Sequence, residues 1–179
     1  MDFDLNEQQL MIRQTIRDFA DKEIIPVSRQ LDREERFPTE ILKKMGPLGF
    51  LGAPIAEQYG GMGLDNIAYC VFIEEIGRAN FALRSVISAH ISLIAQTIEQ
   101  WGTPEQKKKY LPPMCRGDML GCFATTEPNV GSDVGNIETS GSSTVSHRWQ
   151  WVTAETWSSI FTSRPLASRS ATPLSRPAW

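Results

Sequence analysis

The sequence predicts a mainly α fold: a helical bundle over residues 1–117 that hands over to the beginning of a β-domain at 118–139. Three observations carry this. Two helix starts are written as capping boxes, Asn6 with Gln9 and Thr103 with Gln106, where a cap oxygen and an amide side chain satisfy otherwise unpaired N–H groups. Apolar residues recur at three- and four-residue spacing through the segments between, which is the period of one helix face. After Gly117-Asp118 the pattern changes to Met119-Leu-Gly-Cys-Phe-Ala-Thr-Thr126, a short run that suits a strand.

Each element follows in order. Ile12, Ile16, Phe19, Ala20 and Ile24 form the stripe of the first helix, which Pro26 is expected to end or kink because its ring clashes with the carbonyl four residues back. Ile41, Leu42 and Met45 form the stripe of a second helix, with Pro38 tolerated at its start. The stretch from Gly49 to Leu64 holds five glycines and a proline and reads as a loop. Helices over about 66–79 and 82–101 come next, the second apolar enough to be buried on more than one face, with Gly102 closing it. Thr103 then caps a short helix with Pro104 in its first position, which Pro112-Pro113 is expected to limit.

Bulk composition narrows the function classes. The chain has 179 residues, 41% hydrophobic and 22% charged, with a formal net charge of −3. So weak a negative balance gives no reason to expect nucleic acid or an acidic membrane as partner. No run reads as long enough to span a bilayer. The acidic start, Met1-Asp2-Phe3-Asp4, lacks the layout of a signal or transit peptide, so a cytoplasmic protein is expected. Cys70, Cys115 and Cys122 are odd in number and form no CxxC, and only His90 and His147 could join them. Neither a metal site nor a disulfide framework is expected, and the thiols read as reduced and mostly packed.

The bundle leaves one segment with chemistry to offer. From Phe123 to Asp133 a strand ends in paired threonines and a Glu-Pro turn, presenting hydroxyls and backbone N–H groups at one edge. Gly131 ahead of Ser132 lets the backbone approach a ligand closely. Such an edge suits a planar ring system rich in acceptors, or a phosphate. An ordinary β-turn whose Asp and Ser cap their own backbone would use the same residues. His90 reads as a packed histidine rather than an acid–base group.

Taken together, Phe123-Ala-Thr-Thr-Glu-Pro-Asn-Val-Gly-Ser-Asp133 resembles the signature of acyl-CoA dehydrogenases. Leu5-Asn-Glu-Gln-Gln9, Phe37-Pro38, Leu48-Gly-Phe-Leu-Gly52, Tyr59-Gly-Gly-Met-Gly63, Glu74-Glu-Ile-Gly-Arg78, Gly102-Thr-Pro-Glu-Gln-Lys107, Tyr110-Leu-Pro112 and Gly117-Asp118 resemble that family's segments in the family's order. Local structure explains each piece singly but not their joint order.

The resemblance covers about residues 1–139 and implies a helical domain followed by a flavin-binding β-domain. It implies FAD as cofactor, an acyl-CoA thioester as substrate, an electron-transfer flavoprotein as electron acceptor and a homotetramer. On the motif, Phe123, Thr125 and Thr126 line the flavin, Gly131 and Ser132 belong to the cofactor site, and Ser132 also lies near the acyl-CoA. Arg84 and Ser88, four apart and so on one helix face, resemble the pair with which glutaryl-CoA dehydrogenases hold a distal carboxylate. Pairing of Arg84 with Glu74 or Glu75 is the plainer expectation. The family's catalytic base is a glutamate of its C-terminal helices, so no residue of this chain is assigned that role. A cofactor-free helical interaction module is the alternative reading, for which caps and amphipathic faces would suffice.

Residues 140–179 depart from the family. They hold four arginines, one glutamate, ten serines and four of the five tryptophans, for a charge of +3 against −6 over 1–139. The bias suits translation in a shifted reading frame, and the expectation is a β-domain broken off at 139 in a chain with little or no activity. Reading the other frames of the coding DNA beyond codon 139 tests this: no family-like continuation there overturns it.

Overall fold

The computed structural model describes residues 4–123 and 126–136. The segment 140–179, with its expected frameshift, lies outside the described residues. Seven α-helices make up the described part: α1 Glu7–Phe19, α2 Ile25–Arg33, α3 Thr39–Met45, α4 Asn66–Ala79, α5 Phe81–Ser88, α6 Gln96–Trp101 and α7 Pro104–Arg116.

Helix α1 starts at the expected capping box, with Asn6 Oδ1 accepting the Gln9 N–H at 2.9 Å and Gln9 Oε1 accepting the Asn6 N–H at 3.1 Å. Its stripe buries Ile12, Ile16, Ala20 and Ile24. Of the end or kink expected at Pro26, the end does not occur: the rod runs on into α2. A π-helical turn over Ala20–Ile24 precedes it, and the Ile25 N–H reaches back five residues to the Ala20 carbonyl. The extra residue in that turn re-aims the carbonyls a proline ring would strike, so Pro26 enters the first turn of α2.

Helices α1 and α4 lie side by side and parallel. Gln9 Nε2 donates to Asp65 Oδ2 at 3.2 Å near one end, and Arg17 pairs with Glu75 further along. A single residue, Asn80, then turns the chain. It accepts the Leu83 N–H on Oδ1 at 2.7 Å and so caps α5. The returning rod is antiparallel to α4, with Tyr69 Oη 2.8 Å from Ser92 Oγ. It runs from α5 through a π-helical turn, Ala89–Ala95, into α6.

That rod, Phe81–Trp101, is 21 residues long with a mean hydropathy of 1.3, enough by length and composition to cross a membrane. This corrects the expectation that no such run exists. Its Leu83, Ile87, His90, Ile91, Ile94 and Ala95 are buried within the bundle.

The glycine-rich stretch is part interior and part surface: Leu51, Ala53 and Ile55 are fully buried, and of its two short 3₁₀ turns Phe50–Gly52 is buried whereas Glu57–Tyr59 buries no residue. Gly61 makes this possible. A Cβ there would collide with the Ile55 carbonyl oxygen, and the Gly52 carbonyl lies at 2.7 Å. The main core centres on Phe72, with Phe50 meeting it edge-on at 5.8 Å between ring centroids and Phe19 meeting Phe50 at 5.3 Å. A second cluster joins Ile55, Ile94 and Ala95 to Leu111, Met114 and Cys115 of α7.

Helix α7 begins as expected, with Thr103 capping Gln106 and Pro104 at the start. It does not stop at Pro112-Pro113 but runs to Arg116, where Gly117 at φ 79° turns the chain out. Two internal prolines weaken a helix by roughly 3 kcal/mol each. Burial of Leu111, Met114 and Cys115, at 0–1% exposure, opposes that locally, since a large aliphatic side chain contributes roughly 1.5–3 kcal/mol when buried. A further expectation fails: only Cys115 is buried, while Cys70 and Cys122 are exposed. Of the strand expected over 119–126, the described residues show a β-bridge at Leu120 and no longer strand, and residues 124–125 lie outside the described residues.

Candidate flavin-facing edge of the bundle

Where α7 ends, the chain crosses the bundle and emerges. Asp118 and Met119 N–H groups both return to the Pro113 carbonyl, at 2.9 and 3.2 Å. Leu120 and Gly121 are buried. Gly121 lies so tightly on the helix rod that a Cβ would stand 2.7 Å from Ile94 Cβ. Its N–H is donated to His90 Nδ1 at 2.9 Å, and His90 Nε2 is 3.3 Å from the Met114 carbonyl oxygen. His90 is thus the packed histidine that was expected. Burial lowers its pKa to about 4, so the ring is neutral near pH 7. Accepting at Nδ1 requires the proton to sit on Nε2, which then donates to Met114.

Beyond this point the chain is exposed. Phe123 presents an apolar ring at 59% exposure, and Thr126 is exposed on the far side of residues 124–125. Thr125 lies outside the described residues. Glu127 and Val130 close a tight turn, with the Glu127 N–H to the Val130 carbonyl at 2.8 Å and the reverse bond at 3.2 Å. Val130 tucks inward at 7% exposure, leaving Gly131 and Ser132 outside. A Cβ on Gly131 would meet nothing within 4 Å. Among the described residues the Asp133 carboxylate bonds a side chain rather than a backbone N–H. Its Oδ2 accepts from Asn136 Nδ2 at 2.5 Å.

This donor set fits one edge of a flavin. It offers an exposed aromatic face, hydroxyls at Thr126 and Ser132, and clear space above Gly131. The described residues form only this edge, and none closes over it.

Arg84 and Ser88 both fall on α5 and are half-buried. The Arg84 guanidinium lies over the Phe81 ring at 4.3 Å. Its expected pairing with Glu75 is not made, because Arg17 and Arg78 already hold that carboxylate. Among the described residues Arg84 pairs with no carboxylate. What the sequence did not disclose is Gly121. A glycine between leucine and cysteine carries no turn signal, and only the packing of Ile94 reveals why it must be small.

The described part is thus a helical bundle from which an exposed aromatic–threonine edge emerges. Residues 6–118 match the "Acyl-CoA dehydrogenase, N-terminal domain" family, and the chain belongs to it. It is 42% identical over 139 residues to a short-chain-specific acyl-CoA dehydrogenase of Clostridium acetobutylicum, a match spanning 78% of this chain and 37% of that protein. Among solved structures it is similar to butyryl-CoA dehydrogenase from Megasphaera elsdenii, with a TM-score of 0.70 and 35% identity over 75% of this chain and 36% of that one. It is also similar to a glutaryl-coenzyme A dehydrogenase–glutaryl-CoA complex, with a TM-score of 0.72 and 40% identity over 76% of this chain and 35% of the other. The chain therefore spans little more than a third of the relatives it matches.

Proposed function

We propose that residues 1–117 form the helical domain, and 118–139 the opening of the flavin-binding domain, of an FAD-dependent acyl-CoA dehydrogenase that converts an acyl-CoA thioester to a 2-enoyl-CoA. The observation that carries this reading is the emergence of Phe123 and Thr126 from a buried anchor at Gly121, exposed and in the order the family motif requires. Bound FAD would supply the hydride-accepting ring.

The chain's own residues bind and orient. Phe123 offers an apolar surface against the ring and excludes water from it. The Thr126 hydroxyl and neighbouring N–H groups are donors whose alignment with the N1–C2=O edge favours negative charge there. Gly131 gives clearance for the cofactor, and the Ser132 hydroxyl serves the phosphate region and the thioester. Thr125 completes the lining by family resemblance. Arg84, free of a described carboxylate partner, and Ser88 would hold the distal carboxylate of a dicarboxylyl-CoA. Proton abstraction belongs to a glutamate of the family's C-terminal helices. An electron-transfer flavoprotein as acceptor and a homotetrameric assembly extend the same reading to the whole protein.

A graft tests it. Residues 6–136 replace the equivalent region of the Clostridium acetobutylicum enzyme, and the purified product is scanned for bound-flavin absorbance and bleached with butyryl-CoA or glutaryl-CoA. A yellow protein that bleaches supports the reading. A folded, colourless graft that takes up no FAD overturns it. Preference for glutaryl-CoA that disappears in Arg84→Ala supports the distal-carboxylate role, and indifference to that change removes it.

A further inference from the structure

One imidazole closes the connection between α7 and the flavin-facing edge. We propose that His90 is a positioning residue, accepting the Gly121 N–H on Nδ1 while Nε2–H binds the Met114 carbonyl, and so fixes where the segment bearing Phe123 leaves the helical domain. The inference rests on reading 123–133 as flavin-facing, and it assigns a role to a residue outside that motif.

The two bonds straddle the whole crossing. Met114 stands in the last turn of α7 and Gly121 two residues ahead of Phe123, so the ring ties the beginning of the connection to its end. The turn between them has its own bonds, the Asp118 and Met119 N–H groups to Pro113 and Arg116 Nε to Asp118 Oδ2 at 2.8 Å. Those bonds end at residue 119. Among the described residues the Gly121 N–H has no acceptor other than His90 Nδ1. A buried N–H left without one is strongly disfavoured.

Packing repeats the constraint from a second direction. Ile94, four residues beyond His90, meets Gly121 so closely that any side chain at 121 would push the segment off the rod. Both His90 and Ile94 stand in the π-helical turn Ala89–Ala95. Such a turn inserts an extra residue and re-aims side chains relative to a regular helix. A polar contact and a steric stop thus fix the same glycine. Displacing it would shift Phe123, and misplacement of a group by about 1 Å can lower a rate on the order of a hundredfold.

The test uses the full chain without flavin. His90→Phe keeps a ring and removes both polar contacts, while His90→Asn keeps an acceptor near the Nδ1 position. Amide hydrogen exchange at Gly121 is compared with that at Leu83 and Ile87, which sit in the same core. The expected result is Gly121 exchange at least about tenfold faster in His90→Phe, with Leu83 and Ile87 unchanged, and protection restored in His90→Asn. Unchanged exchange at Gly121, or all three sites loosening together, overturns the proposal by reducing His90 to filler. If His90→Phe does not fold, two results still decide. A folded His90→Asn with Gly121 unprotected overturns the proposal, as does a wild-type nitrogen spectrum placing the neutral-ring proton on Nδ1. The two readings separate: a colourless graft with Gly121 protected sinks only the flavin assignment. A yellow graft with Gly121 indifferent to His90 sinks only this one.

Discussion

Arg17 grips both oxygens of the Glu75 carboxylate across the α1–α4 interface, Nε to Oε2 at 3.0 Å and Nη2 to Oε1 at 2.5 Å. The carboxylate is only 4% exposed, whereas Arg17 is 46% exposed. Arg78 adds a third bond to Oε2 at 3.0 Å and continues to Asp21. The Arg17 hydrogen bond first, and Arg78 after it, hold the Glu75 carboxyl below its ordinary range against the opposing effect of burial. Removing one partner of such a pair hurts more than removing the charge itself, because a buried ion is left under-compensated. Arg17→Ala is therefore expected to lower the urea midpoint more than Glu75→Leu. Equilibrium unfolding of both variants checks the order, and the reverse order would show that packing at position 75 dominates.

Acid stability should show two limbs. For His90 the folded pKa of about 4 lies below its ordinary 6.5. The unfolded state therefore takes up the proton first, and stability is lost as pH falls from 6.5 toward 4. The full difference corresponds to about 3 kcal/mol. Glu75 is shifted down from 4.5, so its contribution is lost only below that value. Wild-type unfolding free energy measured from pH 7 to 4 should decline throughout, and His90→Asn should flatten the part above pH 4.5. Identical slopes in the two proteins would contradict the assignment.

Two glycines should respond oppositely to alanine. At Gly61 the new methyl has only backbone to meet, the Ile55 and Gly52 carbonyls. Overpacking against atoms that cannot rotate away costs roughly 3 kcal/mol. At Gly131 the methyl meets nothing within 4 Å, and stability should stay within about 0.5 kcal/mol. Thermal or urea unfolding separates the two. If the flavin reading holds, Gly131→Ala lowers FAD affinity in the graft while leaving its stability alone.

Thr126→Val tests the proposed donor directly. The side chain is exposed, so the bundle's unfolding midpoint should not move. One hydrogen bond lost to the flavin corresponds to roughly 1 kcal/mol, or about a fivefold to tenfold weaker FAD complex in the graft. An unchanged dissociation constant would remove Thr126 from the cofactor site.

Local chemistry was enough for much of this protein. The capping boxes at Asn6 and Thr103 mark helix starts because their partners lie within one turn, and the stripes of α1 and α3 follow from spacing alone. The motif from Phe123 to Asp133 is legible for the same reason, being contiguous. Tertiary structure decided what depends on distant neighbours. Pro26 and the Pro112-Pro113 pair are locally helix-breaking, yet a π-helical turn accommodates one and the burial of Leu111, Met114 and Cys115 stabilises the helix around the other two. Gly61 and Gly121 look like spacers until the Ile55 carbonyl and Ile94 are brought against them. His90 could be read as packed, but its acceptor role toward Gly121 arises only when residues 31 positions apart meet in the core, a relation no periodicity encodes.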